Sequence, residues 1–213
     1  MKPVSMLRTA LLVLLLAVPF QAFAVSADRI GARWDEITYH WPKARREAGL
    51  TRLLAEIRAL RQRQPDQADL LIWEAIVTVS RASLSPNLSV LGQLKQTRKL
   101  LEQAIALDPR ALDGAAYLTL ACLYYKLPGW PLSFGDRHKA EIYFRKALAL
   151  NPDGIETHYY YARYLHDRGE TAAARAHFEK VLQLSGDPDQ PYLAQRLKRK
   201  AAQKLGRLLA SRS

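Results

Sequence analysis

Two stretches of this chain, 34 residues apart, carry the same apolar pattern. Ala140, Phe144, Ala147, Leu148 and Leu150 return as Ala174, Phe178, Val181, Leu182 and Leu184. Steps of three and four residues trace one face of a helix. A repeat of this length, built from such faces, marks stacked helix–turn–helix units. One unit cannot bury its apolar face alone, so neighbours must pile on one another to make a core. That constraint favours a surface built for contact over a site built for turnover.

The punctuation of the chain agrees. Pro65, Pro109 and Pro152 each close a run of helix formers, because proline holds the residue before it out of the helix. Their spacings are 44 and 43 residues, and the surplus over the repeat falls in two insertions, residues 83–92 and 127–136. Residues 155–184 have no insertion and turn at Gly169. Asp136 is placed to cap the helix that ends at Leu150. Asp153 is placed to cap the next, with Glu156 reaching back to complete the box. No stretch alternates long enough with β-branched residues to predict a strand. The expected fold class is all-α.

Residues 1–24 read as a targeting segment. Lys2 and Arg8 precede an apolar run over residues 11–20, and Ala22 and Ala24 occupy small-residue cleavage positions. This is the pattern of a secretory signal peptide cut before Val25, with an apolar run short for a bilayer. Residues 25–189 then form the helical repeat domain, and the expected location is the periplasm. Cys122 is the only cysteine. It cannot close an internal disulfide, and no cysteine stands at the cleavage site to carry a lipid.

Much of the net charge of +12 is local, since from Pro191 onward seven residues are basic and none is acidic. Within residues 190–213, Leu193, Leu197, Ala201 and Leu205 recur at four-residue steps. Arg196, Lys198, Arg199, Lys200, Lys204 and Arg207 occupy much of the remaining surface. The segment is expected to cap the last repeat with its apolar side. Its charged side faces water, or an anionic membrane surface at about 1 kcal/mol per basic residue. Nucleic acid is not an expected partner of an exported chain.

With these residues on view, the segment 155–184 resembles a tetratricopeptide repeat. Ala162, Leu165, Gly169, Ala174, Phe178 and Val181 carry the likeness. The preceding unit carries it at Leu120, Ala121, Tyr124, Ala140, Phe144, Ala147 and Pro152, and an earlier one at Ala75, Leu101, Ala104 and Pro109. The run "LYYKLPGWPLSFGD" is similar to one in exported bacterial tetratricopeptide proteins. A looser resemblance is to the periplasmic tetratricopeptide component of TRAP-type substrate transport. These resemblances imply a right-handed superhelical solenoid ended by a capping helix, with the first helix of each pair lining a concave groove. Carried onto this chain, the rule puts Tyr159, Arg163, His166 and Asp167 in the groove, with Leu118, Cys122, Tyr125 and Lys126 from the unit before.

The groove candidates are therefore Tyr125, Lys126, Tyr159, Arg163 and His166. An arginine can hold a carboxylate through two parallel hydrogen bonds, and tyrosines give rigid contact area. The implied function is a non-catalytic scaffold that binds a protein or peptide. The alternative is a transporter-associated component that handles a small ligand. In the 127–136 loop, Trp130 and Phe134 either fold back as a plug or present a contact surface. Plugging leaves less adhesive apolar surface. No His-Glu-x-x-His run, paired cysteine ligands, glycine-rich phosphate loop or Gly-x-Ser-x-Gly elbow occurs, so no enzyme, metal or cofactor is expected. His158 and His166 share a helical face but stand roughly 12 Å apart along it.

Overall fold

The computed structural model describes residues 29–85 and 87–210. The signal peptide expected over residues 1–24 lies outside them. The described residues are helical with no strand: α1 (Ile30–Asp35), a π-helical turn (Glu36–His40), α2 (Lys43–Arg63), α3 (Ala68–Ala82), α4 (Val90–Leu107), α5 (Ala111–Lys126), α6 (Arg137–Leu150), α7 (Ile155–Asp167), α8 (Thr171–Gln183) and α9 (Pro191–Ala210).

Helix ends follow the sequence punctuation. α2, α4 and α6 stop at Arg63, Leu107 and Leu150, each two residues before a proline. The Asp136 carboxylate accepts from the Lys139 N–H at 3.0 Å and caps α6. Gly169 turns α7 into α8 with φ +82, a conformation that penalises any side chain. The expected cap at Asp153 does not form. No side chain caps α7, and Asp153 instead accepts from Lys180 at 2.8 Å. Glu156 therefore has no capping box to complete.

Helices adjacent in the chain pack on one another, most extensively α5 with α6, α7 with α8, and α3 with α4. Ala140, Ala162 and Ala174 are fully buried, and small residues there let the helices approach. Phe144 and Phe178, the repeated pair, are also fully buried. Phe144 meets Tyr161 and Tyr164 of the next unit at 5.4 and 5.5 Å between ring centres. These contacts join one pair of helices to its neighbour, which is how the pile gains a continuous core.

The C-terminal helix does more than cap. Leu193, Leu197 and Ala201 are buried, and α9 packs on α8 and α7 as its apolar side requires. It also packs on α1 and the π-helical turn, so the two ends of the described chain meet. Asp35, fully buried, makes the join. Its two carboxylate oxygens accept from the backbone N–H groups of Tyr192 and Leu193 at 2.8 and 2.7 Å. These are open donors in the first turn of α9, and Pro191 at its first position has no N–H to satisfy. A residue more than 150 positions away thus caps the last helix. His40 stacks on Tyr192 at 4.6 Å, and the Arg196 guanidinium lies over the Tyr39 ring at 5.4 Å.

Asp35→Ala leaves two helix-end amides without their partner. Urea unfolding followed by circular dichroism is expected to show a loss of about 2–3 kcal/mol. Asp35→Asn, which keeps one acceptor oxygen, is expected to lose less.

Candidate functional site

The helices enclose two open cavities of about 660 and 750 Å³. Trp34, Ile76, Ala115, Leu118 and Glu156 line both, and mark the neck of packed side chains where the two adjoin. The neck is fixed by packing. Trp34 rests on Trp73 at 6.0 Å and donates its indole N–H to the Ser80 hydroxyl at 2.8 Å.

The smaller cavity has apolar walls and a cationic side. α3 contributes Ile76 and Val79, α4 Leu91 and Leu94, and α5 Leu118 and Leu123. Five cations join them: Arg46, Lys126, Arg163, Arg196 and Lys200. Each comes from a helical stripe facing inward. On α7 the stripe is Glu156, Tyr160 and Arg163, and on α9 it is Arg196 and Lys200. Steps of four and three residues place them on one face.

These cations are incompletely neutralised. Arg46 donates to the Trp41 carbonyl at 2.9 Å. Lys126 stands 4.0 Å from Asp167. Arg163, Arg196 and Lys200 form no ion pair with a described carboxylate. Burial lowers the Lys200 ammonium from its ordinary value, and the Arg196 and Arg163 charges lower it further. Burial and then Arg163 do the same to Lys126. Like charges gathered at low dielectric favour any anion that enters between them.

The larger cavity has the opposite sign. Asp113, Asp153 and Asp187 line it. Glu156 stands at the neck with no described hydrogen-bond donor. Burial raises its carboxyl to about 7, and the Asp187 and Asp35 charges add to the rise. Cys122 sits in the wall of the cationic cavity, where burial raises the thiol to about 12. A thiol so poorly ionised is a weak nucleophile.

The groove candidates separate. Lys126 and Arg163 face the cationic cavity. Tyr125 does not line it: its hydroxyl donates to Asp167 and tethers α5 to α7. Tyr159 is buried, packed on Phe178 at 5.9 Å, with Arg163 over its ring at 6.0 Å. His166 lies outside both cavities, and its Nδ1 is buried without a partner. In the basic helix, Arg196 and Lys200 turn inward, while Lys198, Arg199, Lys204 and Arg207 lie outside the lining. The two aromatic residues of the 127–136 loop divide. Phe134 plugs, packed edge-on against Tyr124 at 5.3 Å, and Arg98 covers it at 4.8 Å. Trp130 does not plug, being 90 % exposed, because the loop is drawn tight beneath it. Gly135 donates to the Pro128 carbonyl at 2.9 Å, and a Cβ there would lie 1.9 Å from the Leu127 oxygen.

Sequence reasoning missed Arg46, Tyr39, Tyr160 and Glu156. The period on α7 could have found two of them, since Glu156, Tyr160 and Arg163 share a stripe. Tyr39 comes from the N-terminal segment that meets α9, and Arg46 from α2, which packs on α3. His158 has a partner other than His166. Its Nε2–H donates to the Pro152 carbonyl at 2.8 Å, which leaves Nδ1 to accept from the His177 Nδ1–H at 2.8 Å. Burial, then His158, lowers the His177 value. Among the described residues no group of three or more His, Cys, Asp or Glu is placed to hold a metal ion. No described helix is long and apolar enough to cross a membrane.

The family model described as "TAtT: TRAP transporter T-component" matches residues 42–211, from the residue before α2 through α9. No curated protein sequence matches the chain. The match corrects the resemblance drawn from the repeat pattern. The family is that of the T-component, and no tetratricopeptide family model matches. Residues such as Ala162 and Phe178 report helix packing, which different helical-pair families share.

Glu156 gives a pH dependence with a defined sign. Its folded value, about 7, exceeds the ordinary 4.5, so the folded protein holds the proton longer. That contribution is fully present below 4.5 and is lost as pH rises through 7. Glu156→Gln stays neutral throughout. Thermal melts are expected to place the variant about 5 °C above the parent at high pH, with the gap closing on acidification.

Proposed function

The chain belongs to the TRAP transporter T-component family, and from that premise we propose that it is a ligand-handling partner of such a transporter. In this reading the exported protein works in the periplasm after residues 1–24 are removed. Its helix pairs wind as a right-handed superhelix whose inner face binds a small organic anion without turnover. It associates with transporter proteins, to which it presents or withholds the ligand.

The observation that carries the reading is the cationic cavity. A volume of about 660 Å³ falls in the range of small-molecule sites, which combine apolar walls with few convergent polar groups. Arg163, Arg196 and Lys200 supply those groups and form no ion pair with a carboxylate among the described residues. The family match supports the transporter setting over a general scaffold for peptides. The exposed Trp130 supports association with a protein, because lone large aromatic side chains on stiff loops are common anchors in interfaces.

Native mass spectrometry of the protein purified from its own host tests this. The parent is expected to carry a bound acid of small mass, displaced on unfolding. An Arg163→Gln/Lys200→Gln variant with an unchanged circular dichroism spectrum is expected to emerge empty. Parent protein that stays empty even after exposure to host periplasmic extract would contradict the reading.

A further inference from the structure

The ligand-handling reading leaves the chemistry of the ligand open, and the two cavities narrow it. We propose that the site takes a single-chain amphiphile with a carboxylate head, of the size of a medium-chain fatty acid. The head sits among Lys126, Arg163, Arg196 and Lys200, and the chain runs over the apolar walls toward the neck. This rests on the preceding reading and names the ligand class of the same cavity.

Three features carry it. First, the five cations lie on α2, α5, α7 and α9, whereas α3 and α4 face the same space with Ile76, Val79, Leu91 and Leu94. A compact polar acid would meet the cations and leave those walls unfilled. An acyl chain covers them, and each methylene taken from water tightens binding about threefold to fourfold. Second, Trp34, Ile76 and Leu118 bound both cavities, so the apolar wall reaches from the cations to the edge of the larger cavity. Third, the far cavity disfavours an anion. Asp113 and Asp187 line it without an ion pair to a described cation, so a carboxylate is held at the near end. The opposed signs fix one orientation, head toward α9 and tail toward the neck.

The exposed apolar residues near this cavity fit the same ligand. Leu84 and Leu127 line it, and Leu84 and the neighbouring Leu88 are 38 % and 75 % exposed. Apolar side chains beside cations offer both ends of an amphiphile a surface on its way in.

Isothermal titration of the purified protein with octanoate, decanoate and dodecanoate below their micellar concentrations tests the proposal. Decanol and succinate serve as the uncharged and the compact controls. Affinity is expected to rise at least fivefold for each two-carbon step. Decanol should bind at least tenfold more weakly than decanoate. Arg163→Gln/Lys200→Gln, with an unchanged melting curve, should weaken all three acids at least tenfold. Arg163→Lys should recover part of the loss. Succinate binding as tightly as dodecanoate, with no dependence on chain length, overturns this proposal and leaves the ligand-handling reading intact. Decanol equal to decanoate overturns the assignment of the head group. No binding of any acid by protein freed of endogenous ligand overturns both.

Discussion

A buried carboxylate joins the two ends of the described chain. Asp35 meets the first turn of α9 and satisfies the two amides that a helix start leaves open. Burial raises the Asp35 carboxyl from its ordinary value, while the two amides pull it back down. The positive end of the α9 dipole favours the charged form in the same place. The cost of burying an acid is thereby offset by donors that would themselves be unsatisfied without it. The join brings Tyr39 to the side where α9 presents Arg196 and Lys200, and it adds the N-terminal segment to the walls of the cationic cavity.

That space is polarised. Cations from α2, α5, α7 and α9 gather at one cavity, and aspartates from α5 and the loops flanking α7 and α9 gather at the other. Between them the neck is apolar except for Glu156, whose carboxyl stays protonated up to about neutral pH. The arrangement resists collapse because the neck residues are held from outside: Trp34 by Ser80 and Trp73, and α5 by the Tyr125 tether to Asp167. An array of helix pairs is well suited to this. Each unit is stabilised by its neighbours through residues such as Phe144 and Phe178, which leaves the inward stripes free to carry charge.

The helical punctuation was legible because it is local. A proline two residues past a helix, an aspartate at position 136 and a glycine at 169 act through a few bonds of their own backbone. The repeat of alanine and phenylalanine was legible because packing distance sets residue size. The likeness to tetratricopeptide repeats failed for the same reason. Small and aromatic residues at those spacings describe how two helices touch, which is less specific than a family. Asp153 was misplaced because Lys180, distant in sequence, holds its carboxylate. Of the groove candidates that the repeat resemblance named, Lys126 and Arg163 line the cationic cavity, but Asp35 gives no local sign that its partners are residues 192 and 193. Without that join, Arg196 and Lys200 read as solvated charge. Trp130 defied the expectation of burial because the hydrogen bonds of its loop close beneath it.

Hydrogen exchange at the Tyr192 and Leu193 amides tests the join most directly. If the Asp35 carboxylate holds them, both exchange orders of magnitude more slowly than first-turn amides of an open helix end. That protection disappears in the Asp35→Ala protein while the α5–α6 core remains protected. Amides at 192 and 193 that exchange freely in the parent would mean that Asp35 does not hold the start of α9 and that the two ends do not meet as described.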